Sequence, residues 1–148
     1  MNHKYIKNNC ESCQRILSGA GKIKEYKCWF LEHVGEPIPV NGWLVLRLKR
    51  HGEGLVSMNK EESEELGQIL NSLPKALKEV TNATQIYLCS FNESVPHLHF
   101  HFIPRRAEEK RRTIDFFILQ NEVKSGKVSA IAASETASLI RNIKIRLN

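Results

Sequence analysis

A chain of 148 residues with a 41% hydrophobic share carries enough apolar material for one domain with a core of its own, without disulfide staples. No run of about 18 apolar residues occurs, which excludes a membrane-spanning helix. The N-terminal MNHKYIKNNCESC lacks the apolar stretch of a secretory signal, so a cytoplasmic protein is expected. A net charge of +6 favours anionic partners, although the densest basic run, RRAEEKRR at 105–112, contains two glutamates and reads as a solvated face.

In chain order, His3 belongs to the terminus and reads as solvent-exposed. Cys10 and Cys13 form a C-x-x-C pair, a spacing that metals and redox chemistry both use. KIKEYKCWFLEH (22–33) reads as a strand or hairpin arm, with Cys28 a small buried hydrophobe and His33 on the surface at its end. GEPIPVNG (35–42) is a turn-rich connector, and WLVLRLKR (43–50) is an apolar strand that runs into His51 and a loop. Asn59 with Glu62 three residues on predicts a capping box. Leu66, Ile69, Leu70, Leu73, Leu77 and Val80 then define one helical stripe, with Pro74 predicting a kink or a restart. QIYLCSF (85–91) is the next strand, with Cys89 buried in it. NESVP (92–96) is a turn and HLHFHFIP (97–104) a further strand. Beyond Arg106 the pattern weakens: TIDFFILQ (113–120) fits a strand or a helix turn, and residues 129–143 fit a helix of small residues.

The 97–104 strand carries the chemistry. Residues two apart on a strand share a face about 6.6 Å apart. His97, His99 and His101 therefore line one face, and Leu98, Phe100 and Phe102 fill the core behind it. Three of the chain's six histidines in register argue against a chance polar face. Two chemistries suit them. An H-x-H pair with a third ligand holds an open zinc that activates water. Alternatively, one histidine is a nucleophile on phosphorus and its neighbours bind the phosphate.

HLHFHFIPR resembles the alternating His signature of the histidine triad family of nucleotide hydrolases and transferases. WLVLRLKRH, a helix opened by MNKEE, a strand, a polar turn and the triad follow in that family's order, over residues 5–106; residues 107–148 form a C-terminal extension with no match. The resemblance implies an α+β fold in a single domain over 1–148: an antiparallel sheet of about five strands, one main helix and a C-terminal helical tail. It implies that His99 attacks the α-phosphorus of a nucleotide to form a nucleotidyl-histidine, its ring oriented by the backbone carbonyl of His97. His101 would bind the phosphate oxygens, and Ser94 would approach the phosphate or leaving group. Glu32 stands where relatives hold an acidic residue against the ribose hydroxyls, and Phe30 beside it is either a wall of the base pocket or core. Glu93 departs from the family, which often has Gln before the Ser. A homodimer is implied as well; nucleic acid is not an expected partner.

Some branches of this superfamily, uridylyltransferases among them, hold a structural zinc on two cysteines and two histidines. Matched residue by residue, the set here is Cys10, Cys13, His51 and His97. A reduced, empty pair or a thioredoxin-type redox motif are the alternatives, the latter without its usual strand–CxxC–helix surroundings. Two competing functions stay open at this point: a zinc-stabilised module that binds nucleotides or RNA without turnover, and an open-zinc hydrolase that uses the H-x-H pair.

Overall fold

The computed structural model describes residues 6–147, so His3 lies outside the described residues. The stretch 22–33 is a hairpin of two strands, β1 (Lys22–Glu25) and β2 (Trp29–His33), closed by Tyr26 N–H donating to the Trp29 carbonyl at 2.8 Å. The connector leads to β3 (Leu44–Leu48). After the long helix come β4 (Gln85–Cys89) and β5 (His99–Arg105). Every pairing is antiparallel, in the order β1-β2-β3-β5-β4, so β5 lies inside the sheet between β3 and β4. Among the described residues four α-helices accompany the sheet: α1 (Glu11–Ser18), α2 (Lys60–Thr81), α3 (Asp115–Lys124) and α4 (Ala133–Leu147). The fold class is the expected α+β.

Strand alternation divides the sheet into two faces. Trp29 and Leu31 of β2, Leu44, Leu46 and Leu48 of β3, and Phe100 and Phe102 of β5 point to one side. There they meet Leu66, Ile69, Leu73 and Leu77 of α2 and Leu139 and Ile143 of α4. Full burial of each such side chain stabilises by about 1.5–3 kcal/mol, and Trp29 and Phe102 are completely enclosed. The other face carries Phe30, Glu32, Val45, Arg47, His99 and His101, a mixture that a core does not need. The register sets them in two rows across the strands, Phe30–Arg47–His99 and Glu32–Val45–His101.

The predicted capping box is present: Asn59 Oδ1 accepts from Glu62 N–H and Glu62 Oε2 from Asn59 N–H, both at 2.9 Å. The restart expected at Pro74 does not occur, and α2 runs through it as one helix. A single missing N–H is outweighed by the stripe that α2 buries on both sides of it. Residues 113–120 enter a helix, α3. Their short apolar run has no helical periodicity to separate it from a strand. The last helix starts at Ala133 and not at 129, because Ile131 pairs with Ile38 in an isolated bridge. Cys28 and Cys89 are half-buried: Cys28 closes the end of a hairpin, and Cys89 lies on an edge strand. Among the described residues no helix is long and apolar enough to cross a membrane.

Candidate active site and metal centre

The chain brings Cys10, Cys13, His51 and His97 together, with their ligand atoms all within 4.8 Å of one another. Cys10 Sγ lies 3.4 Å from His97 Nδ1, Cys13 Sγ 3.5 Å from the same nitrogen and 3.6 Å from His51 Nδ1. Tetrahedral zinc bonds to sulfur and nitrogen give edges of about 3.4–3.8 Å, so these three distances fit that geometry. The second ring nitrogens are committed elsewhere. His97 Nε2 donates to the Leu48 carbonyl at 2.6 Å, and His51 Nε2 faces Glu53 Oε1 at 3.2 Å. Each histidine therefore turns Nδ1 towards the thiols, the arrangement that outer partners impose on metal-bound histidines. Burial holds His97 neutral, with its pKa pushed down to about 4. Burial, reinforced by Cys10, raises the Cys13 thiol. Two imidazoles and two enclosed thiols are a donor set that suits zinc.

His97 precedes β5, which starts at His99 and not at the expected 97: Leu48 N–H still donates to the Leu98 carbonyl at 3.1 Å, but Leu98 N–H turns to the Gly52 carbonyl in the loop beyond β3, at 2.7 Å. His99 follows at the first position of the strand. Its Nδ1 lies 2.6 Å from the His97 carbonyl, which can only accept, so the proton sits on Nδ1 and Nε2 carries a lone pair. Burial lowers the His99 pKa and keeps the ring neutral. Trp43 Nε1–H donates to His101 Nδ1 at 3.1 Å, which leaves the His101 proton on Nε2. Burial pushes His101 down to about 3. Phe117 of α3 packs edge-on against it at 5.3 Å. His99 and His101 thus sit on one strand, each in a tautomer fixed by a single neighbour.

Both rings open onto a cleft of about 610 Å³. Its walls are the 91–95 turn with Ser94 and Glu93, α3 with Phe117 and Lys124, and α1 with Glu11 and Arg15. The turn is tied to the strand. Asn92, at φ 56° where Asn is tolerated, accepts from His99 N–H at 3.2 Å, and Ser90 Oγ donates to the His99 carbonyl at 2.6 Å. Between β3 and α1 lies a charged cluster. Glu32 Oε1 accepts from Arg15 Nε at 2.7 Å and from Arg47 Nε at 2.9 Å, and Arg47 Nη1 donates to Ser12 Oγ at 2.6 Å. Glu32 Oε2 has no partner among the described residues.

No protein-family model and no curated protein matches the sequence. Solved structures do match. A Hit-like protein involved in cell-cycle regulation from Bartonella henselae aligns over 97% of this chain and 99% of its own, with TM-score 0.71 and 17% identity. A histidine triad protein from Bradyrhizobium japonicum aligns over 86% and 90%, with TM-score 0.67 and 20% identity. The chain has the histidine-triad fold. A zinc-bound histidine triad family protein from Mycobacterium smegmatis also matches, over 94% and 95%, with TM-score 0.65 and 17% identity.

Within the histidine-triad fold, His99, His101 and Ser94 share the cleft, while His97 turns away to the cysteines and His51. The His97 ring thus faces the cysteines and not the His99 ring. Glu32 and Phe30 do not line the cleft: both are enclosed, Glu32 behind the two arginines. His33 is a correction, since it is buried and not on the surface. Its Nε2 accepts from Gly42 N–H and its Nδ1 donates to the Val34 carbonyl, both at 3.1 Å, so it clasps the 34–43 connector. Arg15, Arg47, Ser90 and Asn92 were not marked by any motif. Only the alternation of β3, which puts Arg47 on the His99 face, hinted at one of them.

Proposed function

We propose that the protein is a nucleotide hydrolase or nucleotidyltransferase of histidine-triad type, acting at the α-phosphate of a nucleoside phosphoramidate, a dinucleoside polyphosphate or a similar substrate. The observation that carries this reading is the His99 ring: Nδ1–H rests on the His97 carbonyl at 2.6 Å, so its lone pair is presented to a cleft that also holds the His101 donor. His99 Nε2 attacks phosphorus and the bond to the leaving group breaks, giving a nucleotidyl-histidine. The leaving group departs with its electron pair and takes a proton from water. The carbonyl of His97 holds the Nδ1 proton as the ring becomes cationic, which stabilises that charge. His101 Nε2–H donates to a phosphate oxygen as negative charge grows there, and Ser94 stands at the leaving-group side. Water or another acceptor then attacks phosphorus, and the N–P bond breaks. Neutral His99 and His101 at pH 7 suit both roles.

Zinc on Cys10, Cys13, His51 and His97 is structural in this reading. When bound, it supplies a closed four-ligand cross-link and no open position for water. His97 then has two separate uses, its ring towards the metal and its carbonyl towards His99. The test is a turnover screen with adenylyl and guanylyl phosphoramidates and dinucleoside polyphosphates. Release of nucleoside monophosphate by the wild type and its loss in His99→Ala are expected. Nucleotide binding without turnover would leave the binding module standing, and turnover retained by His99→Ala would refute the assignment.

A further inference from the structure

The charged cluster beside His99 is larger than the proposed chemistry uses. Arg47 stands directly opposite His99 in the β3–β5 register, and such neighbours have Cβ atoms about 4.5–5.5 Å apart. Arg15, from α1, reaches the same Glu32 oxygen as Arg47, so two guanidinium groups lie side by side against one carboxylate. Both line the cleft. Nη1 and Nη2 of Arg15 have no hydrogen-bond partner among the described residues. The Arg15 head fits under Gly35 only because a Cβ there would come within 2.7 Å of Nη1. Glu11 and Glu36 line the cleft too, but no ion pair joins either to Arg15 or Arg47. The α1 side of the cleft therefore offers the two unused Arg15 nitrogens as N–H donors, where Glu11 and Glu36 of the lining, with Glu32 behind it, outnumber the two arginines.

A sugar hydroxyl reaching the Arg15 head meets guanidinium donors, with Glu32 fully enclosed behind them. We propose that Arg15 and Arg47 form a second anion subsite, and that the substrate is a nucleotide carrying a further phosphate on its sugar. This rests on the reading of His99 as the nucleotide site. Arg15 is the specificity-determining member, with Arg47 holding it through Glu32. Guanidinium donors match phosphate oxygens in charge and in fork geometry.

The test is calorimetric binding of AMP, adenosine 3′,5′-bisphosphate and adenosine 2′,5′-bisphosphate to the full chain, with Arg15→Gln and Gly35→Ala beside the wild type. One of the bisphosphates is expected to bind the wild type about tenfold more tightly than AMP, as a charge-assisted pair would give. That preference should disappear in Arg15→Gln and shrink in Gly35→Ala, whose methyl displaces the guanidinium. The arms separate a 3′- from a 2′-phosphate. Equal binding of all three, or a preference that survives in Arg15→Gln, overturns the subsite and leaves the nucleotide reading intact. Binding of none of the three sinks the nucleotide reading itself.

Discussion

Single residues in this protein act by what one neighbour forbids. Trp43 can only donate, and so it fixes the tautomer of His101; Gly42 N–H fixes that of His33 in the same way. Burial lowers the pKa of both histidines, that of His101 to about 3. In the unfolded chain each titrates near 6.5. Their contribution is therefore complete above about pH 6.5 and declines as pH falls below it, down to about 3 for His101, by at most about 1.4 kcal/mol per pH unit and histidine. Urea midpoints between pH 7 and 5 should fall less steeply in His33→Gln than in the wild type; equal slopes would show that His33 is not held neutral. Glu32 makes the opposite case, a fully enclosed carboxylate between two arginines. Removing one partner of a buried ion pair costs about 3–5 kcal/mol. Glu32→Ala should lose that much in chemical denaturation, and a loss below about 1 kcal/mol would mean that the arginines find water instead.

At the scale of elements, α1 and β5 are the parts that make the site, and they were unequally legible. The period-2 alternation of HLHFHFIP identified β5 and its two faces, whereas a separate role for His97, just before the strand, was expected only from the C-x-x-C pair and the family resemblance. The arginine cluster was hidden, because Glu32 meets Arg15 and Arg47 only after α1 folds over β2 and β3. Neither contact has a local sequence signal. α3 was hidden for another reason: its four consecutive apolar residues, FFIL, satisfy both periods, and only docking against the sheet decides between them. A metal held by Cys10, Cys13, His51 and His97 would tie α1 to the end of β3 and the start of β5. Zinc should therefore co-purify at about one ion per chain, and Cys13→Ser should abolish it. Loss of the metal should lower apparent stability by about 4 kcal/mol wherever free zinc exceeds Kd a thousandfold. Metal analysis and thermal melts with and without chelator measure this. A chain without zinc that melts unchanged would contradict the structural role.

For the whole molecule, the two sheet edges differ. β1 is four residues long with three charged side chains, and it carries α4 beside it, which protects an edge. β4 leaves its outer row of N–H and C=O groups open, with Leu88 and Phe91 exposed at that end. Pairing of β4 with a second copy would complete the homodimer implied by the resemblance. Leu88→Lys should then shift sedimentation from dimer to monomer, whereas a wild type that sediments as a monomer at micromolar concentration would dismiss this interface. The C-terminal third also belongs to the working molecule, since α3 supplies Phe117 against His101 and one wall of the cleft. The account as a whole stands on His99 as the nucleophile. Its most direct measurement is intact-mass and peptide mapping of the protein quenched during turnover of an adenylyl phosphoramidate, under conditions that spare P–N bonds. An adenylyl group is expected on the peptide carrying His99 and absent in His99→Ala; turnover with no adduct, or an adduct on any other residue, would rule out His99 as the nucleophile.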